Sequence, residues 1–137
     1  MDFFSPHLIF FVLQTHFTEF MNDKNTFANI IGKTVTVTVD RPLHSVHPKH
    51  SDIIYSLNYG FVEGVLVGDN EWQDAYILGV DEPVSTFVGV VIAVIVRIDD
   101  SETKWVVAPI GCSYTKEQIE RAVYFQEKYF STYIVTD

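Results

Sequence analysis

Thr34-Val35-Thr36-Val37-Thr38-Val39 is the stretch whose reading decides the fold class. Every residue is β-branched and stiff at its first side-chain torsion, which suits a pleated strand better than a helix. The period of two sets the valines on one face and the threonines on the other, so the valines are the core-facing side. Asp40-Arg41-Pro42 ends the strand, because proline cannot donate to a central ladder. Downstream, Ile53–Leu57 and Phe61–Val67 read as short strands, and Trp72 to Val80 runs into another. Phe87–Arg97 is apolar on both parities, the pattern of a strand buried on both faces or bent inside a closed barrel. Ile98-Asp99-Asp100-Ser101-Glu102-Thr103 is an acidic hairpin-like turn, and Lys104–Pro109 is its return strand.

The last element expected is a helix. Thr115-Lys116-Glu117-Gln118 has the form of a capping box, with Thr115 at the N-cap and Gln118 three positions on. Ile119, Ala122, Val123, Gln126 and Phe130 recur at helical spacing and form the face that closes over the sheet. Five or six strands followed by one helix give a mainly β, α+β fold: a small closed or nearly closed barrel of about five strands with a C-terminal packing helix.

A chain of 137 residues, 47% hydrophobic and 15% aromatic, has the length and apolar content of one domain with a real core. Its 18 acids against 9 lysines and arginines give a net charge of -9, which disfavours nucleic acid as a partner and favours solubility or cation binding. A single cysteine, Cys112, cannot form an internal disulfide, and the expected compartment is reducing, hence cytoplasmic. Met1 to Phe20 is apolar and aromatic, but its central run is far shorter than the ~20 residues of a spanning helix, so no membrane is expected. Asp2 stands where a signal peptide carries positive charge, and no Lys or Arg precedes Lys24. Residues 1–25 are therefore read as an N-terminal extension outside the fold and residues 26–137 as the barrel domain.

Candidate chemistry centres on Gly68-Asp69-Asn70-Glu71-Trp72-Gln73-Asp74, which follows Asn58-Tyr59-Gly60-Phe61. Asp69, Glu71 and Asp74 fall within six positions, directly after a turn signal and directly before an apolar strand. Carboxylates converging from a loop onto a strand mouth suit a hard cation, and magnesium in particular takes one or two of them and leaves room for water and phosphate. Solvated acids beside an ordinary hairpin turn are the alternative. An EF-hand is excluded, since Asp74 occupies the position where that loop needs glycine. His44, His47 and His50 invite zinc, but Pro48 interrupts them and no thiol or closed four-ligand set accompanies them, which favours a polar loop.

Together these residues resemble the family I soluble inorganic pyrophosphatases, in their short bacterial branch, from about Gly32 to about Phe130. Asn58-Tyr59-Gly60-Phe61 is similar to that family's Asn-Tyr-Gly-Tyr, and Asp69 through Asp74 to its Asp-Gly-Asp-Pro-x-Asp signature. Asp99 through Lys104 resembles its second acidic turn. The resemblance implies a distorted five-stranded OB-like barrel that hydrolyses inorganic diphosphate to two orthophosphates with Mg2+, or Mn2+ in its place. It implies Asp69, Glu71, Asp74, Asp99 and Glu102 as metal ligands, and Lys104, Tyr59, Tyr129, Lys49 and Arg41 as substrate contacts. Asp74, with Asp69, would be catalytic, bridging two metals that hold the attacking water; a homo-oligomer is compatible with the family. The sequence departs from the pattern at Glu71 and Glu102, each one methylene longer than aspartate, at Trp72 in place of proline, and at Phe130 in place of lysine. The family's long cationic hairpin is shortened to Arg41 through Ser51. Two alternatives stay open: a hydrolase of another small phosphate ester or anhydride, and a metal-binding barrel with weak catalysis.

Overall fold

The computed structural model describes residues 26–137, and the expected extension 1–25 lies outside the described residues. A turn at Phe27–Gly32, closed by the Ile31 amide donating to the Phe27 carbonyl, leads into β1 (Thr34–Arg41). There follow β2 (Asn58–Val67), β3 (Glu71–Ile77), β4 (Thr86–Arg97), β5 (Thr103–Ala108), the helix α1 (Lys116–Glu127) and β6 (Thr132–Val135). Each strand pairs with the next around the ring β1-β2-β3-β5-β4, and β4 returns to β1, so five strands close a small OB-like barrel. All pairings are antiparallel except β3 with β5, which run parallel with Ala75 opposite Trp105.

β4 carries the closure. Its first half pairs with β1 from Val90 opposite Thr34 to Thr86 opposite Thr38, and its second half takes β6. Between Val91 and Ala93 its register against β5 slips by one residue. The slip reverses which parity faces which side: Val91 and Val94 pack inside the barrel, while Ala93 and Ile95 pack toward the helix. An extra residue in one strand bends it and flips the faces beyond it, and this is why the run from Phe87 is apolar on both parities.

Two cores result. Val37, Val62, Ala75, Ile77, Trp105 and Val107 fill the barrel, capped at one end by Phe27, Ile30 and Ile31. Tyr55, Tyr59, Tyr76, Leu78, Val106 and Ala108 form the second with Ile119 and Val123 of α1. The helix starts as expected, with the Gln118 amide donating to Thr115 Oγ1 at 3.1 Å and the Thr115 amide donating to Gln118 Oε1 at 2.8 Å. Gly60 in β2 lies against β1 so closely that a Cβ would strike the Thr38 carbonyl oxygen and stand 2.8 Å from Val39 Cα.

Two expectations need correction. Ile53–Leu57 is not a strand: only an isolated bridge between Val46 and Ile54 forms, with the Tyr55 amide donating to the Ser45 carbonyl and the His47 amide to the Ile53 carbonyl. The barrel edges are already taken by the other strands, so this segment folds back on itself as a loop. The helix is also not the last element, because β6 follows it and pairs Ile134 with Ile95. Among the described residues no helix is long and apolar enough to cross a membrane.

Candidate functional site

The parallel register of Ala75 with Trp105 places Asp74 beside Lys104 on the outer face of the sheet. Lys104 Nζ donates to Asp74 Oδ2 at 2.5 Å; the lysine side chain is buried, the carboxylate about one-third exposed. This pair stands in a cavity of about 470 Å³ whose lining also includes Arg41, Tyr59, Arg97, Gln126 and Tyr129. Tyr59 lies between two cations, with Arg41 Cζ 5.8 Å and Lys104 Nζ 5.9 Å from its ring centre. Burial and then the Asp74 carboxylate hold the Tyr59 phenol well above its ordinary value, so it is a hydroxyl donor. The loop after β1 contributes His47, His50, Asp52 and Ile53 to the same cavity.

In a chain of net charge -9, three of nine lysines and arginines meet here, against only Asp52 and Asp74 among the lining acids. A cavity with convergent cations and hydroxyl donors is suited to an oxyanion.

Under the cavity floor runs a buried chain of hydrogen bonds. Arg41 donates to the Tyr55 hydroxyl at 2.7 Å, and Tyr55 donates to Gln126 Oε1 at 2.7 Å. The Gln126 amide donates to the Tyr76 hydroxyl at 2.7 Å, which donates to Glu127 Oε2 at 2.5 Å. Glu127 ends the chain by accepting Arg97 Nε at 2.9 Å and Nη2 at 2.7 Å in a bidentate pair. Burial opposes the charge on Arg97, but the Glu127 bonds outweigh it and raise its pKa further. The Phe130 ring packs over the guanidinium with its centre 3.6 Å from Cζ. The two arginines are thus held by one network that crosses from β1 through α1 to β4.

Of the residues singled out in the sequence, Arg41, Tyr59, Asp74, Lys104 and Tyr129 come together around this cavity. Lys49 is exposed and outside the lining; its amide donates to His47 Nδ1. Glu71 is exposed and three residues from Asp74 on one strand, hence on the opposite parity, in phase with Gln73 and Ala75. Asp99 accepts the Ser131 amide at 2.8 Å. Glu102 Oε2 accepts Arg97 Nη1 at 2.9 Å and lies 3.5 Å from Lys104 Nζ. Asp69 belongs to the 3-10 turn Gly68–Asn70, and its side chain lies outside the described residues. Among the described residues no group of three or more His, Cys, Asp or Glu side chains is arranged to hold a metal ion. Asp74, whose Oδ2 pairs with Lys104, is the acid in the cavity that offers the one protein carboxylate a magnesium ion needs when water and substrate phosphates supply the rest. Asp99 and Glu102 lie outside the lining and accept from Ser131 and Arg97.

Sequence reasoning missed Arg97, Glu127, Tyr55 and Tyr76. One signal was present, a polar Gln126 on an otherwise apolar helical face, since a buried polar group requires partners.

Among solved structures, the chain is similar to an inorganic pyrophosphatase from Ehrlichia chaffeensis, with 16% identity and a TM-score of 0.60 over 77% of this chain and 87% of that one. It is also similar to an inorganic phosphatase from Anaplasma phagocytophilum, with 15% identity and a TM-score of 0.52 over 79% and 87%. A pyrophosphatase from Coxiella burnetii gives 14% identity and a TM-score of 0.52 over 78% and 85%. The likeness is one of fold. No family model and no curated protein matches the chain.

Proposed function

We propose that this chain binds inorganic diphosphate in the cavity around Asp74 and Lys104 and hydrolyses it to two orthophosphates with Mg2+. The observation that carries the reading is the convergence of Arg41, Arg97 and Lys104 with the Tyr59 hydroxyl on one cavity. Inorganic pyrophosphatases of the same fold lend it support. Diphosphate repels a nucleophile until its charge is neutralised, and buried cations in a cavity of low dielectric do this more strongly than water can. Lys104 and Arg97 would hold the phosphoryl group under attack, and Arg41 and Tyr59 the leaving one.

Asp74 would accept a proton from the attacking water as the new P–O bond forms and the bridging P–O bond breaks, and the departing phosphate takes up a proton. Asp74 would hold the magnesium ion, which when bound would lower the pKa of a coordinated water and polarise the phosphate oxygens. A second reading, a phosphate ester or anhydride carrying an organic group, is favoured by the apolar surface that Ile53, Tyr129 and Phe130 add to the lining.

Release of orthophosphate from diphosphate by the purified chain with Mg2+ tests the proposal. Asp74→Asn should abolish turnover. Lys104→Ala should lower it about 10²- to 10³-fold, as for one lost charge-stabilising donor. Full activity in Asp74→Asn defeats the mechanism, and turnover of an organic phosphate but not of diphosphate selects the second reading.

A further inference from the structure

Glu102 is placed unlike the other acids of its turn. One of its oxygens, Oε2, accepts Arg97 Nη1 at 2.9 Å and stands 3.5 Å from Lys104 Nζ, bridging two cations that line the cavity. The cation side chains are only 5–6% exposed, whereas that of Glu102 is 49% exposed. A carboxylate gains little from an exposed pairing, and both cations keep another anion when Glu102 leaves, Arg97 through Glu127 and Asp100, Lys104 through Asp74. Glu102 is therefore the exchangeable anion of this pair of cations. Of the five N–H groups of a guanidinium, Arg97 gives two to Glu127 and one to Glu102, which leaves two among the described contacts. Glu127 cannot leave its place: it is buried, bidentate and bonded to Tyr76 as well. Glu102 can, because its side chain reaches solvent from the short turn between β4 and β5.

We propose that Arg97 and Lys104 form an oxyanion seat that Glu102 occupies as an internal stand-in, and that a phosphate group takes this seat by displacing the carboxylate, without any divalent metal. The inference rests on the diphosphate reading for its ligand class. It gives Glu102 the opposite role from a metal ligand: its removal strengthens binding. Arginine and phosphate oxygens match in geometry and form charged hydrogen bonds about twice as strong as neutral ones, so a dianionic phosphate outcompetes a single carboxylate oxygen.

Isothermal titration of the full chain with sodium diphosphate, and separately with orthophosphate, in EDTA tests this. The wild type should bind diphosphate in EDTA, and Glu102→Gln should bind it about 10-fold more tightly, the scale of one charged hydrogen bond released to the ligand. The pair Arg97→Gln with Glu127→Gln, which strands no buried charge, should weaken binding about 10- to 100-fold while a melting curve shows that the fold persists. If that pair fails to fold, Lys104→Ala serves in its place, with the same direction expected. Binding in Mg2+ but not in EDTA overturns the metal-free seat and leaves the diphosphate reading standing. Weaker binding in Glu102→Gln, in EDTA as well as in Mg2+, overturns the stand-in role. Absence of binding under both conditions overturns this inference and the diphosphate reading together.

Discussion

Glu127→Gln is the change that most directly tests the buried network. Its side chain is 4% exposed, and its two oxygens accept Arg97 Nε, Arg97 Nη2 and the Tyr76 hydroxyl. Glutamine keeps the shape and one acceptor oxygen, but it turns an amide donor toward groups that all donate, and it removes the charge that holds Arg97. Stripping one partner from a buried ion pair costs about 3–5 kcal/mol. Glu102 and Asp100, at 2.9 and 3.6 Å from Arg97 Nη1, still offer half-exposed carboxylates, which places the expected loss near the lower end, about 3 kcal/mol. Urea unfolding followed by the fluorescence of Trp105, which is buried in the barrel, reads it: the midpoint should fall by about 2 M for a slope in the ordinary range. Replacing the whole pair, Arg97→Met with Glu127→Leu, should recover most of the loss, because no charge is stranded. A loss below about 1 kcal/mol in Glu127→Gln would refute the claim that this carboxylate anchors Arg97.

Three further outcomes follow from the packing. Gly60→Ala should destabilise the barrel by about 2–3 kcal/mol in the same urea assay, since its Cβ meets the backbone of Thr38 and Val39 rather than a flexible side chain; an unchanged midpoint would show that β1 and β2 part freely. Burial raises the phenols of Tyr55, Tyr59 and Tyr76 above the ordinary 10.0, so their contribution to stability is whole below about pH 10 and is lost as the pH rises through the folded values; Tyr76→Phe should flatten that alkaline fall, and an equal fall in both proteins would place its origin elsewhere. A chain beginning at Met21 should melt as the full chain does, because Phe27, Ile30 and Ile31 already cap the barrel core; loss of several kcal/mol would make residues 1–20 part of the fold.

What the sequence made legible follows one rule: local period is visible, partner choice is not. The alternation of Thr34–Val39 and the box at Thr115–Gln118 depend on neighbours within a few residues, and both elements stand where they were expected. Ile53–Leu57 has the composition of a strand but finds no open edge, and Thr132–Val135 is too short to announce itself until β4 offers one. The same rule governs the site. Asp69, Glu71 and Asp74 look like a cluster because they are close along the chain, yet once β3 begins at Glu71 parity decides, and Glu71 and Asp74 fall on opposite faces. Asp74 instead meets Lys104, 30 residues away, because β3 and β5 run parallel with Ala75 opposite Trp105.

Arg97 was hidden for a related reason. It closes an apolar run, where a cation ordinarily marks the point at which a strand reaches water, and only the return of α1 across the sheet brings Glu127 to it. The acids of the turn after it then acquire a cation to answer to, so Glu102 serves an arginine before it can serve a metal. A carboxylate's role in such a site is set by which cation reaches it first, and in this chain the nearer one is covalently attached.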